Sequence, residues 1–315
     1  MMNYKLNLIH HSSFIIQMSY IQVRGVDHYY EWIKTPGDGL NKPVMVFIHG
    51  WAGSDRYWQS TARALCEQFD CLLYDLRGFG RSKGKPTITE ASLEVTEAES
   101  PQEQRAAIAE LTYELEEYAE DLAVLLDALE LERVYLNAHS TGASIATFFL
   151  NLYPERVEKA ILTCSGIFEY DEKAFTAFHK FGGYVVKFRP KWLSKIPFVD
   201  RMFMARFLHR SIPAAERRAF LEDFLSADYD AALGTIFTSV SKKAAEVMPQ
   251  EFTKLSVPTL LVAGEYDKII PAKMGQQAAA KSDRVKFVMI RKTSHFPMLE
   301  DPATYLQQVR EFLEN

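Results

Sequence analysis

The six residues Ala138-His139-Ser140-Thr141-Gly142-Ala143 limit what this chain can fold into more than any other stretch. They follow a short apolar run, residues 133–137, that reads as a buried strand, and they precede residues 144–150, which read as a helix. A serine between a strand and a helix, with small residues two positions to either side, is the pattern of a nucleophile elbow. The reason is steric. So tight a turn forces the serine backbone into strain, and only small neighbours let strand and helix approach so closely. The strain lifts the hydroxyl clear of the sheet, where a base can reach it. Ala138 stands where the usual motif has glycine, and alanine is still small enough for the turn.

Residues 44–48, 71–75, 157–163, 259–263 and 285–290 read as further strands. The first is an unbroken apolar run, as a parallel strand covered on both faces requires. Residues 19–33 read as two strands broken at Gly25, and the polar turn Pro36-Gly37-Asp38-Gly39 follows. Trp58, Ala62, Leu65 and Phe69 share one helix face. Ser100-Pro101-Gln102-Glu103 resembles a capping box, with apolar positions from Leu111 to Leu129 carrying the helix behind it. Helices are also expected near 272–281 and 301–314. This alternation predicts an α/β fold, a mostly parallel twisted sheet with helices on both faces. Ligand sites in such sheets lie beyond the carboxyl ends of the strands. Ser140 sits at such an end.

At 315 residues the chain holds one large domain, or one domain with a sizeable insertion. Hydrophobic content of 48% and charged content of 24% suit a soluble globular protein. A net charge of −5 gives no reason to expect nucleic acid as a partner. The three cysteines, Cys66, Cys71 and Cys164, show no C-x-x-C spacing. That argues against a disulfide framework or zinc site and for a reducing, cytoplasmic compartment. Asn7, His10, His11 and Gln17 interrupt the apolar residues near the N-terminus, so no signal peptide is expected. Nor does any window approach the roughly 20 apolar residues that span a bilayer. Met18 is a second candidate start, because strand-like alternation begins just after it.

A serine hydroxyl is a poor nucleophile until a base takes its proton. Histidine is the usual base, and a carboxylate fixes its tautomer and stabilises the imidazolium. Behind an elbow the chain order is nucleophile, acid, base. The loop 264–271, after a buried strand, offers Asp267, and Thr293-Ser294-His295, after the last strand, offers His295. Glu265 is the competing acid, and Asp267 has a plainer reading as the cap of a helix beginning near Ala272. Histidines 10, 11, 28, 179 and 209 have no comparable context. An oxyanion also needs preorganised N–H donors. The turn Ile48-His49-Gly50-Trp51-Ala52-Gly53 offers the Trp51 amide and the elbow offers that of Thr141, while His49 reads as structural.

Together these motifs resemble the α/β-hydrolase family. His49-Gly50-Trp51 resembles its oxyanion loop, 75–82 its D-x-R-G-x-G-x-S turn, and 138–142 its elbow. The resemblance spans roughly residues 20–167 and 250–315. It implies a serine hydrolase that cleaves a carboxylic ester through an acyl-enzyme, with no metal and no organic cofactor. A serine at 140 argues against relatives whose nucleophile is aspartate, the dehalogenases and epoxide hydrolases. Gly78-x-Gly80 completes no G-x-G-x-x-G, so nucleotide binding is not expected. The fold also hosts lyases, peroxidase-like enzymes, C–C bond hydrolases and low-turnover binding proteins, and these stay open as alternatives.

The same resemblance implies a core of residues 1–167 and 251–315, with a helical cap, 168–250, inserted after the sixth strand. Between Lys173 and Arg218 eleven Lys or Arg stand against two acids, among nine aromatic residues. Apolar anchors mixed with basic residues suit an anionic membrane surface and a lipid-like ester. The plainer reading, adopted for most of these aromatics, is that they line the inner face of the cap. The acidic stretch 86–100 reads as an exposed excursion without an assigned function.

Overall fold

The computed structural model describes residues 7–10, 14–36, 42–82, 84 and 111–315. The acidic stretch, the capping box at Ser100 and the turn residues 37–39 fall outside these. The strands are β1 Asn7–His10, β2 Ile15–Val23, β3 Val26–Lys34, β4 Val44–Ile48, β5 Asp70–Tyr74, β6 Val134–His139, β7 Val157–Thr163, β8 Thr259–Gly264 and β9 Val285–Ile290. They form one sheet in the order β1-β2-β3-β5-β4-β6-β7-β8-β9. The first three strands pair antiparallel, and β3 also pairs antiparallel with β5. From β5 onward every pairing is parallel. β2 begins ahead of Met18, with Ile15 opposite Lys34. Arg24 and Gly25 join β2 to β3 with φ of 49° and 77°, as a two-residue hairpin with matching twist demands.

Successive residues of a strand face opposite sides, so an all-apolar strand needs helices on both. Met45 and Phe47 of β4 pack with Ala62 and Leu65 of α1 (Gln59–Leu65) and, on the same side, with Tyr305 and Val309. Val46 and Ile48 pack on the other side with Leu122 of α2 (Leu115–Ala128) and Phe149 of α3 (Thr141–Leu152). α2 starts at Leu115, later than its apolar periodicity suggests. The carbonyls of Thr112 and Tyr113 are instead taken by Arg77 Nη2 and Thr238 Oγ1, each at 2.8 Å.

Between β7 and β8 run α4 Glu172–Lys187, α5 Val199–Met204, α6 Ala214–Ser226, α7 Tyr229–Ser239 and α8 Lys242–Lys254. The departure point is the seventh strand, because β1 adds one to the six read from the sequence. Residue 251 lies inside α8, whose Met248 and Phe252 join the apolar cluster of α3. After β8 come α9 Ala272–Ala279, α10 Pro297–Glu300 and α11 Pro302–Glu314. The nine aromatics between 173 and 218 divide differently from expectation. Phe175 is buried and Phe203 and Phe207 are half-buried, but the other six are exposed.

Candidate active site

Ser140 is the residue between β6 and α3, with φ 54° and ψ −121°. A non-glycine residue pays about 1–3 kcal/mol for such a backbone and keeps it only where the surroundings dictate it. Here its amide donates to the Thr163 carbonyl at 2.9 Å, fastening the turn to β7. A Cβ on Gly142 would lie 2.3 Å from the carbonyl oxygen of His49, so glycine is required where α3 meets that loop.

His295, in the loop after β9, places Nε2 3.0 Å from Ser140 Oγ. Its Nδ1 lies 2.8 Å from Asp267 Oδ2. The other oxygen, Oδ1, accepts from the amides of Ile269 (2.8 Å) and Ile270 (3.1 Å). Burial opposes ionisation of Asp267. The imidazole and those two amides outweigh it, and the carboxyl is held below the usual carboxylate range. Asp267 does not cap α9, which starts behind Pro271 without a side-chain cap. Glu265 accepts from the Lys292 amide at 2.8 Å instead of the imidazole. Thus Ser140, His295 and Asp267 form one hydrogen-bonded chain, all three buried.

The turn 49–53 packs directly on the elbow, since a Cβ on Gly50 would fall 3.1 Å from Ser140 Cβ. Trp51 belongs to that turn, and Thr141 opens α3, where the first N–H groups have no partner within the helix. His49 is structural: Nε2 accepts from the Leu76 amide at 2.9 Å and Nδ1 bonds the Gly50 carbonyl at 2.8 Å. Asp75 of the 75–82 turn fixes the same region, accepting from the amides of Asp55 (2.8 Å) and Arg81 (2.7 Å).

Three residues at the site carry no signal in the sequence. His139 Nε2 donates to the carbonyl of His295 at 2.7 Å, and its Nδ1 lies 3.0 Å from the Tyr57 hydroxyl. Burial, then the neighbouring His295, push the His139 pKa well below the ordinary histidine value, so it stays neutral. Glu300 accepts from the amides of Ser294, His209 and Arg210, each at 2.7 Å, tying the His295 loop to the chain before α6. The His295 amide itself donates to the Phe207 carbonyl at 2.9 Å. Above the site Phe207 lies 6.1 Å from the His295 ring and Phe224 5.8 Å from Trp51, centroid to centroid.

His139, Cys164 and His295 also approach one another as metal ligands would. They do not suit an ion. Both nitrogens of each histidine are engaged in the bonds above, and burial holds the Cys164 thiol protonated.

The profile of the alpha/beta hydrolase fold matches residues 43–302. The chain belongs to the alpha/beta hydrolase family. It is 20% identical over 298 residues to the uncharacterized hydrolase YugF of Bacillus subtilis, covering 93% of this chain and 96% of that one. It is 25% identical over 270 residues to a pimeloyl-[acyl-carrier protein] methyl ester esterase of Vibrio campbellii, covering 86% and 94%. The crystal structure of a hydrolase from Pseudomonas aeruginosa PA01 superposes with a TM-score of 0.71 at 21% identity, covering 95% of this chain and 98% of that one. An α/β-hydrolase sheet thus carries a serine, an imidazole and a carboxylate in contact at the carboxyl ends of its strands.

Proposed function

We propose that this α/β-hydrolase cleaves a carboxylic ester of an apolar, lipid-like molecule through an acyl-enzyme. His295 Nε2 takes the Ser140 proton as Oγ attacks the carbonyl carbon, while Nδ1–H stays on Asp267. The Trp51 and Thr141 amides receive the oxyanion. As the tetrahedral adduct collapses, the imidazolium returns its proton to the leaving alcohol. A water, deprotonated by His295, then releases the acid. The observation that carries this reading is the Ser140–His295–Asp267 chain, at 3.0 and 2.8 Å, in front of the first turn of α3. The aromatic side chains of Trp51, Phe207 and Phe224 beside it favour an apolar acyl or alcohol group. The pimeloyl ester esterase among its relatives agrees with ester chemistry. Three buried free thiols fit a reducing compartment, the cytoplasm.

A panel of esters graded by acyl and alcohol length, with Ser140→Ala as the blank, tests the proposal. Turnover should rise with acyl length and fall in the variant by on the order of 10⁴ or more. A variant that keeps most of the activity contradicts it.

A further inference from the structure

Helix α4 has two apolar faces, and only one of them is covered. At 100° per residue, Phe175, Gly182 and Val186 share the buried face, with Gly182 set against Ile236. Phe181, Tyr184 and the next turn's Phe188 lie on the opposite side. Phe181, Tyr184 and Phe188 are 67%, 63% and 71% exposed. The chain beyond continues in the same manner, with Trp192, Phe198 and Met202 at 54%, 73% and 77%. Phe198 even holds φ at 66°, a strained backbone for so bulky a residue, with its ring left in water. Among the described residues nothing covers this run of exposed apolar side chains, and such patches mark interaction surfaces.

The charges around it say what kind. Lys173, Lys180 and Lys187, seven residues apart, border the aromatic face of α4, and Lys191, Lys195, Arg201 and Arg206 are exposed beyond it. Over residues 173–206 eight Lys or Arg face a single carboxylate, Asp200, which Arg217 binds at 3.0 Å. We propose that this face docks on an anionic lipid bilayer. Aromatic rings settle at the headgroup level, lysine stems lie along the apolar boundary, and the ammonium groups meet lipid phosphates. A second copy of the chain fits poorly, because it would press one basic face against another. The attachment is peripheral: among the described residues no helix is long and apolar enough to cross a membrane.

The docking face also leads to the candidate site. Phe203, next to exposed Met202, stacks on Phe224 at 4.8 Å and lies 5.9 Å from Phe207, which in turn reaches His295. A lipid-like substrate leaving the bilayer would meet aromatic side chains along its way to Ser140; this route rests on the ester-hydrolase reading. The docking itself does not, and is therefore tested with the Ser140→Ala protein.

The experiment is co-sedimentation with phosphatidylcholine vesicles, with and without phosphatidylglycerol, at low and high salt. The full chain should bind the phosphatidylglycerol vesicles and release them at high salt. Lys180→Glu, Lys187→Glu, Lys191→Glu and Lys195→Glu together should weaken binding by on the order of 10²-fold or more, at about 5-fold per charge removed. Phe181→Ser, Tyr184→Ser and Phe188→Ser together should weaken it by at least ~10-fold. All seven positions are exposed, so both variants should melt at the parent temperature. The proposal is overturned if the parent shows no preference for anionic vesicles at low salt. It is equally overturned if the aromatic variant binds as the parent does, which is what attraction to any soluble polyanion predicts. Lipid-free dimerisation in sedimentation velocity, abolished by the aromatic substitutions, would assign the face to a second copy instead.

Discussion

The charge on Asp267 decides which nitrogen of His295 carries its proton. With the carboxylate held ionised by the imidazole and by the amides of Ile269 and Ile270, Nδ1 must donate and Nε2 is left to accept from Ser140. Asp267→Asn preserves the shape and removes that constraint. In the proposed mechanism kcat falls by on the order of 10³–10⁴ while KM changes little, as steady-state kinetics on any turned-over ester would read. An unchanged kcat would mean that the tautomer is set elsewhere. Ser140, Asp267 and His295 are legible in the sequence because each stands just past a strand, in the order an elbow requires. His139, Tyr57 and Glu300 are not. Their bonds to the His295 carbonyl, to His139 and to three loop amides join residues that are neighbours only after folding.

At the scale of elements, apolar runs mark the central strands, since β4, β5 and β8 are buried nearly throughout, whereas β9 at the sheet edge leaves Lys286 and Met289 exposed. The start of α2 was hidden, because tertiary donors take the carbonyls of Thr112 and Tyr113. Helical periodicity shows that a face of α4 is apolar, not what covers it, so the exposure of Phe181 and Tyr184 is not legible in the sequence. α6 carries a further device. Its Asp223 accepts from Ser54 Oγ (2.6 Å) and Arg56 Nε (3.0 Å), latching this helix to the loop that follows Trp51. Burial nevertheless raises its pKa from 3.8 to about 6. The folded state thus holds this proton more tightly than the unfolded chain does. Its contribution to stability is complete below pH 3.8 and is lost as pH rises through about 6. Urea unfolding of the parent and of Asp223→Asn across pH 4 to 7 isolates the effect. The parent should lose on the order of 1–3 kcal/mol relative to the variant over that window. Parallel profiles would contradict the raised value.

For the whole molecule, one sheet brings together side chains from residue 51 to residue 295, while the helices between β7 and β8 press aromatic rings over them and leave others facing water. The central claim is that this assembly makes one hydroxyl reactive near neutral pH. Such an oxygen attacks the phosphorus of a fluorophosphonate and expels fluoride, so intact-mass and peptide analysis after labelling reads the claim directly. One adduct per chain on Ser140 is predicted, abolished in Ser140→Ala and strongly slowed in His295→Gln. A folded protein that takes no label, or takes it on another residue, would contradict it.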